Sequence, residues 1–368
     1  MLALKLYRKS NLLYLIINNS LWDLPTPSSL SYFWNFGSVL GVCLFFQILS
    51  GLFLRFHYVS FSFESFNSVA LIIRDVWFGW LIRFIHMNGA SFFFFFVYLH
   101  LFRGLFYFSS VHKRVWLSGC FILFLLMGAS FLGYVLPWGQ ISYWAVAVIT
   151  NLLSVIPFVG ISLVEWVWGG FTVGLPTLIR FYSFHFIIPF IIFFVVLFHL
   201  FYLHKEGSSN PLGVGRHIDK LSFHPYFTVK DIGFFFLFFL LFRGFYFYEP
   251  YFFRDPINNV PANFMQTPVH IQPEWYFLVY YAILRSLPRK VGGVIAFILS
   301  VFSFSFLVLF KFDFSLNFSP YRFLVFWLFT FNFLFLIKIG SLPAEEPFIF
   351  LSKVASFLYF LFIFFLNL

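Results

Sequence analysis

Four histidines carry the most distinctive chemistry in this sequence. His86 and His100 lie 14 residues apart within the run FIHMNGASFFFFFVYLHLFRG, and His185 and His199 are again 14 apart. At about 3.6 residues per turn, such a spacing is almost four whole turns, so each pair projects from one face of one helix. At about 1.5 Å per residue the two imidazoles of a helix stand roughly 21 Å apart along its axis. Two apolar helices with histidines at matching levels can hold two metal centres stacked across a membrane. Neutral imidazole suits iron, and two axial histidines leave no open position. An iron porphyrin held in this way transfers electrons and does not bind oxygen. Zinc competes for imidazole, but its sites want about four clustered ligands, and these pairs are too far apart to share one ion. Three alternatives remain at this point. The histidines pack a core, they line the proton path of a transporter or channel, or they belong to another kind of diheme membrane anchor.

Other residues repeat the histidine period. Gly37 and Gly51 are 14 apart, as are Gly119 and Gly133. Glycine lets another group approach the backbone closely, and a macrocycle held between two histidine helices needs such clearance from two others. Small-residue helix packing is the competing explanation. Arg83 precedes His86 by one turn, Arg103 follows His100 by three residues, and Arg180 lies near His185. Arginines buried in lipid need anionic partners, and the carboxylates of a porphyrin would serve.

The elements that must position these residues are helices. Of 368 residues, 61% are hydrophobic and only 10% are charged, and 67 are phenylalanine. That balance excludes an ordinary soluble domain, and phenylalanine usage on this scale suggests a T-rich coding sequence, as in some organelle genomes. Apolar runs of about twenty residues are long enough to span a bilayer as helices, and an open sheet would leave backbone groups unsatisfied in lipid. The expected fold is all-α and polytopic, with eight transmembrane helices near 33–55, 78–108, 115–136, 178–204, 230–248, 290–310, 320–340 and 347–367. Residues 1–210 are expected to form an N-terminal diheme four-helix bundle, and residues 211–368 a C-terminal four-helix domain. Gln140 to Gly170 is expected to form short interfacial helices, Glu249 to Lys290 a long proline-studded loop. The N-terminal stretch with Lys5, Arg8 and Lys9 reads as an interfacial helix.

The formal net charge is +10. It reports loop topology and not nucleic-acid binding, since no basic cluster with interleaved aromatics lies in a soluble segment. His112, Lys113, Arg114, Lys205, Arg216, Lys220, Lys230, Lys311 and Arg322 fall on the side of the termini. Most acidic residues, Glu64, Asp75, Glu165, Glu249, Asp255, Glu274, Glu345 and Glu346, fall opposite, with Arg254, Arg289 and Lys290 among them. The positive-inside bias places both termini in the cytoplasm or matrix. The second and fourth helices then run parallel, so His86 faces His185 on the outer side and His100 faces His199 on the inner side. The two cysteines, Cys43 and Cys120, lie in apolar runs, which argues against disulfide stapling, and no C-x-x-C-H is present for covalent haem attachment.

Two haems in series need donor and acceptor sites at their ends. Pro273-Glu274-Trp275-Tyr276 lies on the outer side, and a carboxylate beside an apolar pocket can act as a proton acceptor. On the inner side His204, Ser208 and Asp231 follow His199 and begin the next helix. A histidine and a carboxylate there can deliver two protons to a reduced ring.

At this point the chain resembles, from end to end, the cytochrome b family of ubiquinol–cytochrome c oxidoreductase, respiratory complex III. The matching stretches are WNFGS at Trp34, the helix from Arg83 to Arg103, GYVLPWGQ at Gly133, FHFIIPF at Phe184, HPYFTVKD at His224 and PEWYFLVYYAILRS at Pro273. The resemblance implies a catalytic subunit of a quinol–cytochrome c reductase with two non-covalent b-type haems. It implies ubiquinol (or rhodoquinol) oxidation at an outer site lined by Tyr134, Pro273, Glu274, Trp275 and Tyr281. Quinone reduction at the inner site is implied for His204, Ser208 and Asp231. It further implies proton translocation by a Q cycle, the mitochondrial inner membrane with both termini on the matrix side, and a homodimer of complexes. The partners implied are a Rieske iron–sulfur protein, a membrane-anchored c-type cytochrome, other complex III subunits and membrane lipid. Two stretches depart from the family. Ala145 replaces a usual glycine, and its methyl is expected to narrow the outer pocket and weaken methoxyacrylate-type inhibitors. Gly174-Leu175-Pro176 is less polar than usual. Arg243 lacks an obvious partner and is expected to snorkel.

Overall fold

A computed structural model of the chain describes residues 10–213, 218–309 and 319–366. Lys5, Arg8, Lys9, Arg216 and Lys311 lie outside the described residues.

Thirteen α-helices account for most of the described chain: α1 (Leu12–Ile17), α2 (Phe36–Arg55), α3 (Ser62–Asp75), α4 (Gly79–Phe106), α5 (Lys113–Val135), α6 (Gln140–Asn151), α7 (Gly160–Trp168), α8 (Leu175–Glu206), α9 (Tyr226–Phe247), α10 (Leu278–Ser286), α11 (Lys290–Phe306), α12 (Pro320–Gly340) and α13 (Phe348–Phe365). Seven of the helical segments, containing α2, α4, α5, α8, α11, α12 and α13, are long and apolar enough to cross a membrane. The eighth expected span exists as a helix of 22 residues, α9, but Lys230, Asp231 and Arg243 make it more polar than the rest. Arg243 is exposed. The apolar run from Phe234 to Phe242 still matches its neighbours in character, and Phe238 and Phe242 pack into the common core.

Four spans build the N-terminal half. α2 packs on α4, and α5 packs on α8. Helix α8 begins at Gly174-Leu175-Pro176. Pro176 occupies its first turn, where a missing N–H costs nothing. The Thr177 hydroxyl donates to the Trp168 carbonyl at 2.7 Å and accepts from the Gly174 amide at 3.1 Å. The short stretch thus fastens the start of α8 to the end of α7.

Three elements differ from expectation. Helix α3 fills the connection between the first two spans, with its own Ser65, Ser68 and Ile72 buried. The segment expected to be an open loop from Glu249 to Lys290 contains α10, whose residues from Leu278 to Ile283 are mostly buried against α12 and α13. Its apolar periodicity is interrupted by neither glycine nor proline, so it folds as a helix. A two-stranded antiparallel ribbon, β1 (Pro25–Pro27) with β2 (Lys220–Ser222), ties the chain before α2 to the chain before α9.

Candidate functional site

Histidine placement follows from α4 and α8 alone. Their rings meet in two pairs. His86 and His185 have centroids 6.2 Å apart with planes at 88°, and His100 and His199 lie 6.5 Å apart at 63°. An imidazole nitrogen binds a metal at about 2.0–2.1 Å. Two such bonds and the two ring radii span about 6 Å, so each pair has the separation that one ion between two imidazole nitrogens would need. Among the described residues no three His, Cys, Asp or Glu side chains converge as a metal cluster. The four histidines are therefore arranged as two separate pairs.

What the periodic glycines clear is the imidazoles themselves. A Cβ on Gly37 would sit 3.5 Å from Cε1 of His100, one on Gly51 3.1 Å from Cε1 of His86, and one on Gly119 3.3 Å from Cε1 of His199. A Cβ on Gly133 would overlap the His185 ring. The clearance expected for a macrocycle is thus taken by the imidazole rings, which lie against the backbones of α2 and α5.

Each ring is also held at Nδ1. Ser50 Oγ lies 2.9 Å from Nδ1 of His86, the Ala129 carbonyl oxygen 2.7 Å from that of His185, and Ser118 Oγ 2.9 Å from that of His199. His100 differs, since its Nδ1 faces the guanidinium of Arg103 at 3.2 Å. Sequence reasoning missed Ser50, Ser118 and Ala129.

Arg83 and Arg103 each have a buried Nε with no hydrogen-bond partner among the described residues. The Arg103 guanidinium lies 5.2 Å from the centre of the Trp34 ring. Arg180 does not join them. It is exposed, donates to the carbonyls of Trp166 and Val167, and lies over the Trp166 ring. Its neighbour in space is the exposed end of α7.

One cavity joins the outer histidine pair to the outer loop. His86, His185, Tyr134, Arg254, Glu274 and Tyr276 all line it. Burial lifts the Glu274 carboxyl to about 7, against the opposing pull of Arg254, with Asp255 adding to the rise and Arg83 opposing it. Tyr276 is buried, stacks on Phe94 with centroids 4.0 Å apart, and its carbonyl accepts from the Tyr98 hydroxyl at 2.5 Å. The corner between α5 and α6 holds this loop in place. Gln140 donates to the Gln266 carbonyl and accepts from the Asn263 amide, both at 2.6 Å, and Asn258 Oδ1 accepts from the Ser142 amide at 3.0 Å.

Pro273, Trp275 and Tyr281 stand in the same segment but outside the cavity lining. The Tyr281 hydroxyl donates to the Ile271 carbonyl at 3.1 Å, and the Trp275 ring lies 6.2 Å from that of Tyr98. Tyr281 thus ties α10 to the preceding loop, and Trp275 lies against α4. Ala145 also lies outside the lining. It is buried on α6, so a narrowing of this cavity by its methyl does not follow from its position.

Beyond His199, His204 lies in the last turn of α8 and Ser208 just past it, both half-buried. Asp231 sits in the second turn of α9 and accepts from Asn35 Nδ2 and Ser38 Oγ, both at 2.6 Å.

Comparison with known proteins supplies the family. The profile described as cytochrome b/b6/petB matches residues 21–207, and that described as cytochrome b (C-terminal)/b6/petD matches residues 261–360. A solved structure titled "Hyperthermophilic respiratory Complex III" superposes with a TM-score of 0.91 at 31% identity, covering 99% of this chain and 97% of that one. The chain belongs to the cytochrome b family. As a cytochrome b it is a multi-pass membrane protein with a respiratory electron-transfer role, and the family implies b-type haem and quinone binding. Residues of this cytochrome b fit such a group. Paired imidazoles would supply ligand nitrogens, and the buried Nε–H groups of Arg83 and Arg103 would be open to carboxylates.

Proposed function

We propose that this cytochrome b is the electron-transfer subunit of a ubiquinol–cytochrome c oxidoreductase. It oxidises ubiquinol (or rhodoquinol) at an outer site and reduces quinone at an inner site, coupled to proton translocation by a Q cycle. The observation that carries the proposal is the meeting of four histidines as two pairs at separations suited to one ion each. His86 with His185, and His100 with His199, would hold two b-type haems, with Arg83 and Arg103 toward their carboxylates. When bound, each haem supplies a one-electron carrier within the membrane.

The protein's own groups handle the protons. Glu274 lines the outer cavity with its carboxyl poised near about 7, so near neutrality it can take a proton from a quinol hydroxyl and release it outside. Arg254 beside it limits how far burial raises that carboxyl. Tyr134 and Tyr276 supply the walls against which a quinol ring would lie, and Pro273, Trp275 and Tyr281 hold the loop that carries Glu274. At the inner side Asp231 and His204 deliver protons to quinone, and Ser208 offers a hydroxyl. Asn35 and Ser38 fix the Asp231 carboxylate.

The same proposal assigns a Rieske iron–sulfur protein, a membrane-anchored c-type cytochrome and further complex III subunits as partners, in a homodimer of complexes. It assigns the mitochondrial inner membrane, with both termini on the matrix side. Residues 1–210 serve as the diheme bundle and residues 211–368 as the domain carrying the outer loop. Quinol-dependent reduction of b-type bands in purified membranes tests the function, and its absence in a preparation that contains the assembled chain would refute it.

A further inference from the structure

We infer that Ser50 and Ser118 are positioning residues that hold one histidine of each pair in the tautomer whose Nε2 is free to ligate. The inference rests on the haem-ligand assignment proposed above. Ser50 donates to the Phe46 carbonyl at 2.6 Å, and its Oγ lies 2.9 Å from Nδ1 of His86. Ser118 donates to the Val115 carbonyl at 2.9 Å, and its Oγ lies 2.9 Å from Nδ1 of His199. A hydroxyl has one proton to give. With that proton committed to a helix carbonyl, the oxygen can only accept from the imidazole. The single proton of a neutral ring then sits on Nδ1, and Nε2 carries the lone pair.

Both serines precede a glycine that lies against the same ring. Ser50 precedes Gly51, which borders Cε1 of His86, and Ser118 precedes Gly119, which borders Cε1 of His199. One Ser-Gly dipeptide thus admits a ring and orients it. The device occurs once at the outer level, from α2, and once at the inner level, from α5. Accepting the Nδ1 proton makes Nε2 more basic, and a more basic axial ligand favours the oxidised iron.

The test is a redox titration of the two haems in the assembled complex, with the haems told apart by which is lost when His185 or His199 is replaced. Ser50→Ala raises the midpoint potential of the outer haem and leaves the inner one unchanged. Ser118→Ala does the reverse. Ser50→Thr and Ser118→Thr, which keep the hydroxyl, stay at the wild-type potentials. If an alanine variant does not assemble, Ser50→Cys or Ser118→Cys keeps the volume with a weaker acceptor and gives a smaller upward shift at the same haem. No shift, a downward shift, equal shifts at both haems, or threonine variants that move as far as alanine overturn the inference. A wild-type complex without two b-type haems would instead refute the ligand assignment on which it stands.

Discussion

Asp231 and Asn35 are joined by a hydrogen bond of 2.6 Å across 196 residues of sequence. Ser38 adds a second at the same oxygen, also 2.6 Å. The carboxyl group proposed to protonate quinone is therefore fixed by the start of α2, within the N-terminal half. Asp231→Asn removes the proton donor but keeps an acceptor for Asn35. It should slow inner-site quinone reduction by roughly 10²–10⁴-fold, the usual worth of a positioned acid or base. Reduction of the inner haem by quinol with the outer site blocked measures this, and an unchanged rate contradicts it.

The outer site should respond to pH through Glu274. Its carboxyl is lifted from 4.5 to about 7, so it is protonated below that value and ionised above it. A proton acceptor works only when ionised, so quinol oxidation should rise as pH increases through about 7 and then level off. Glu274→Gln should lower the rate and flatten that rise. A pH profile of quinol oxidation under inner-site inhibition measures both effects.

Glycine substitutions should grade by clearance. Gly133→Ala drives a methyl into the His185 ring and should abolish the outer haem while sparing the inner one. Gly51→Ala and Gly119→Ala force tight contacts of 3.1 and 3.3 Å and should weaken the haem at their own level. Gly37→Ala meets His100 at an ordinary 3.5 Å and should be the mildest. Overpacking of this kind costs typically about 1–3 kcal/mol. Haem content from the reduced absorption bands reads the order directly.

Much of this was legible in the sequence because it depends on helical periodicity. The histidine spacing fixed which rings share a face, and the parity of crossings fixed which rings meet. Both depend only on position along an apolar helix. The occupants of the glycine clearings were less legible. Whether a ring or a macrocycle fills such a gap depends on how closely α2 approaches α4 and α5 approaches α8. Ser50 and Ser118 went unread for the same reason, although their repeated placement before glycine was visible. Arg180 was misjudged because its partners are the carbonyls of Trp166 and Val167, brought to it by the turn between α7 and α8. Where Ala145 sits relative to the cavity was not legible, because that is set by the packing of α6 and not by local sequence.

The arginines separate on the same grounds. Arg103→Leu removes a buried guanidinium beside His100 and should lower retention of the inner haem. Arg180→Ala should leave both haems in place, because its contacts are with α7. Haem retention after detergent washing compares the two variants, and equal losses would contradict the distinction.

Replacement of His185 followed by a spectroscopic redox titration tests the central claim most directly. Two b-type haems with separate potentials are expected in the wild-type complex, and the His185→Leu complex should retain one of them, with the potential of the inner haem. Retention of both haems, or absence of any haem from the wild-type complex, would contradict the pairing of His86 with His185 and of His100 with His199.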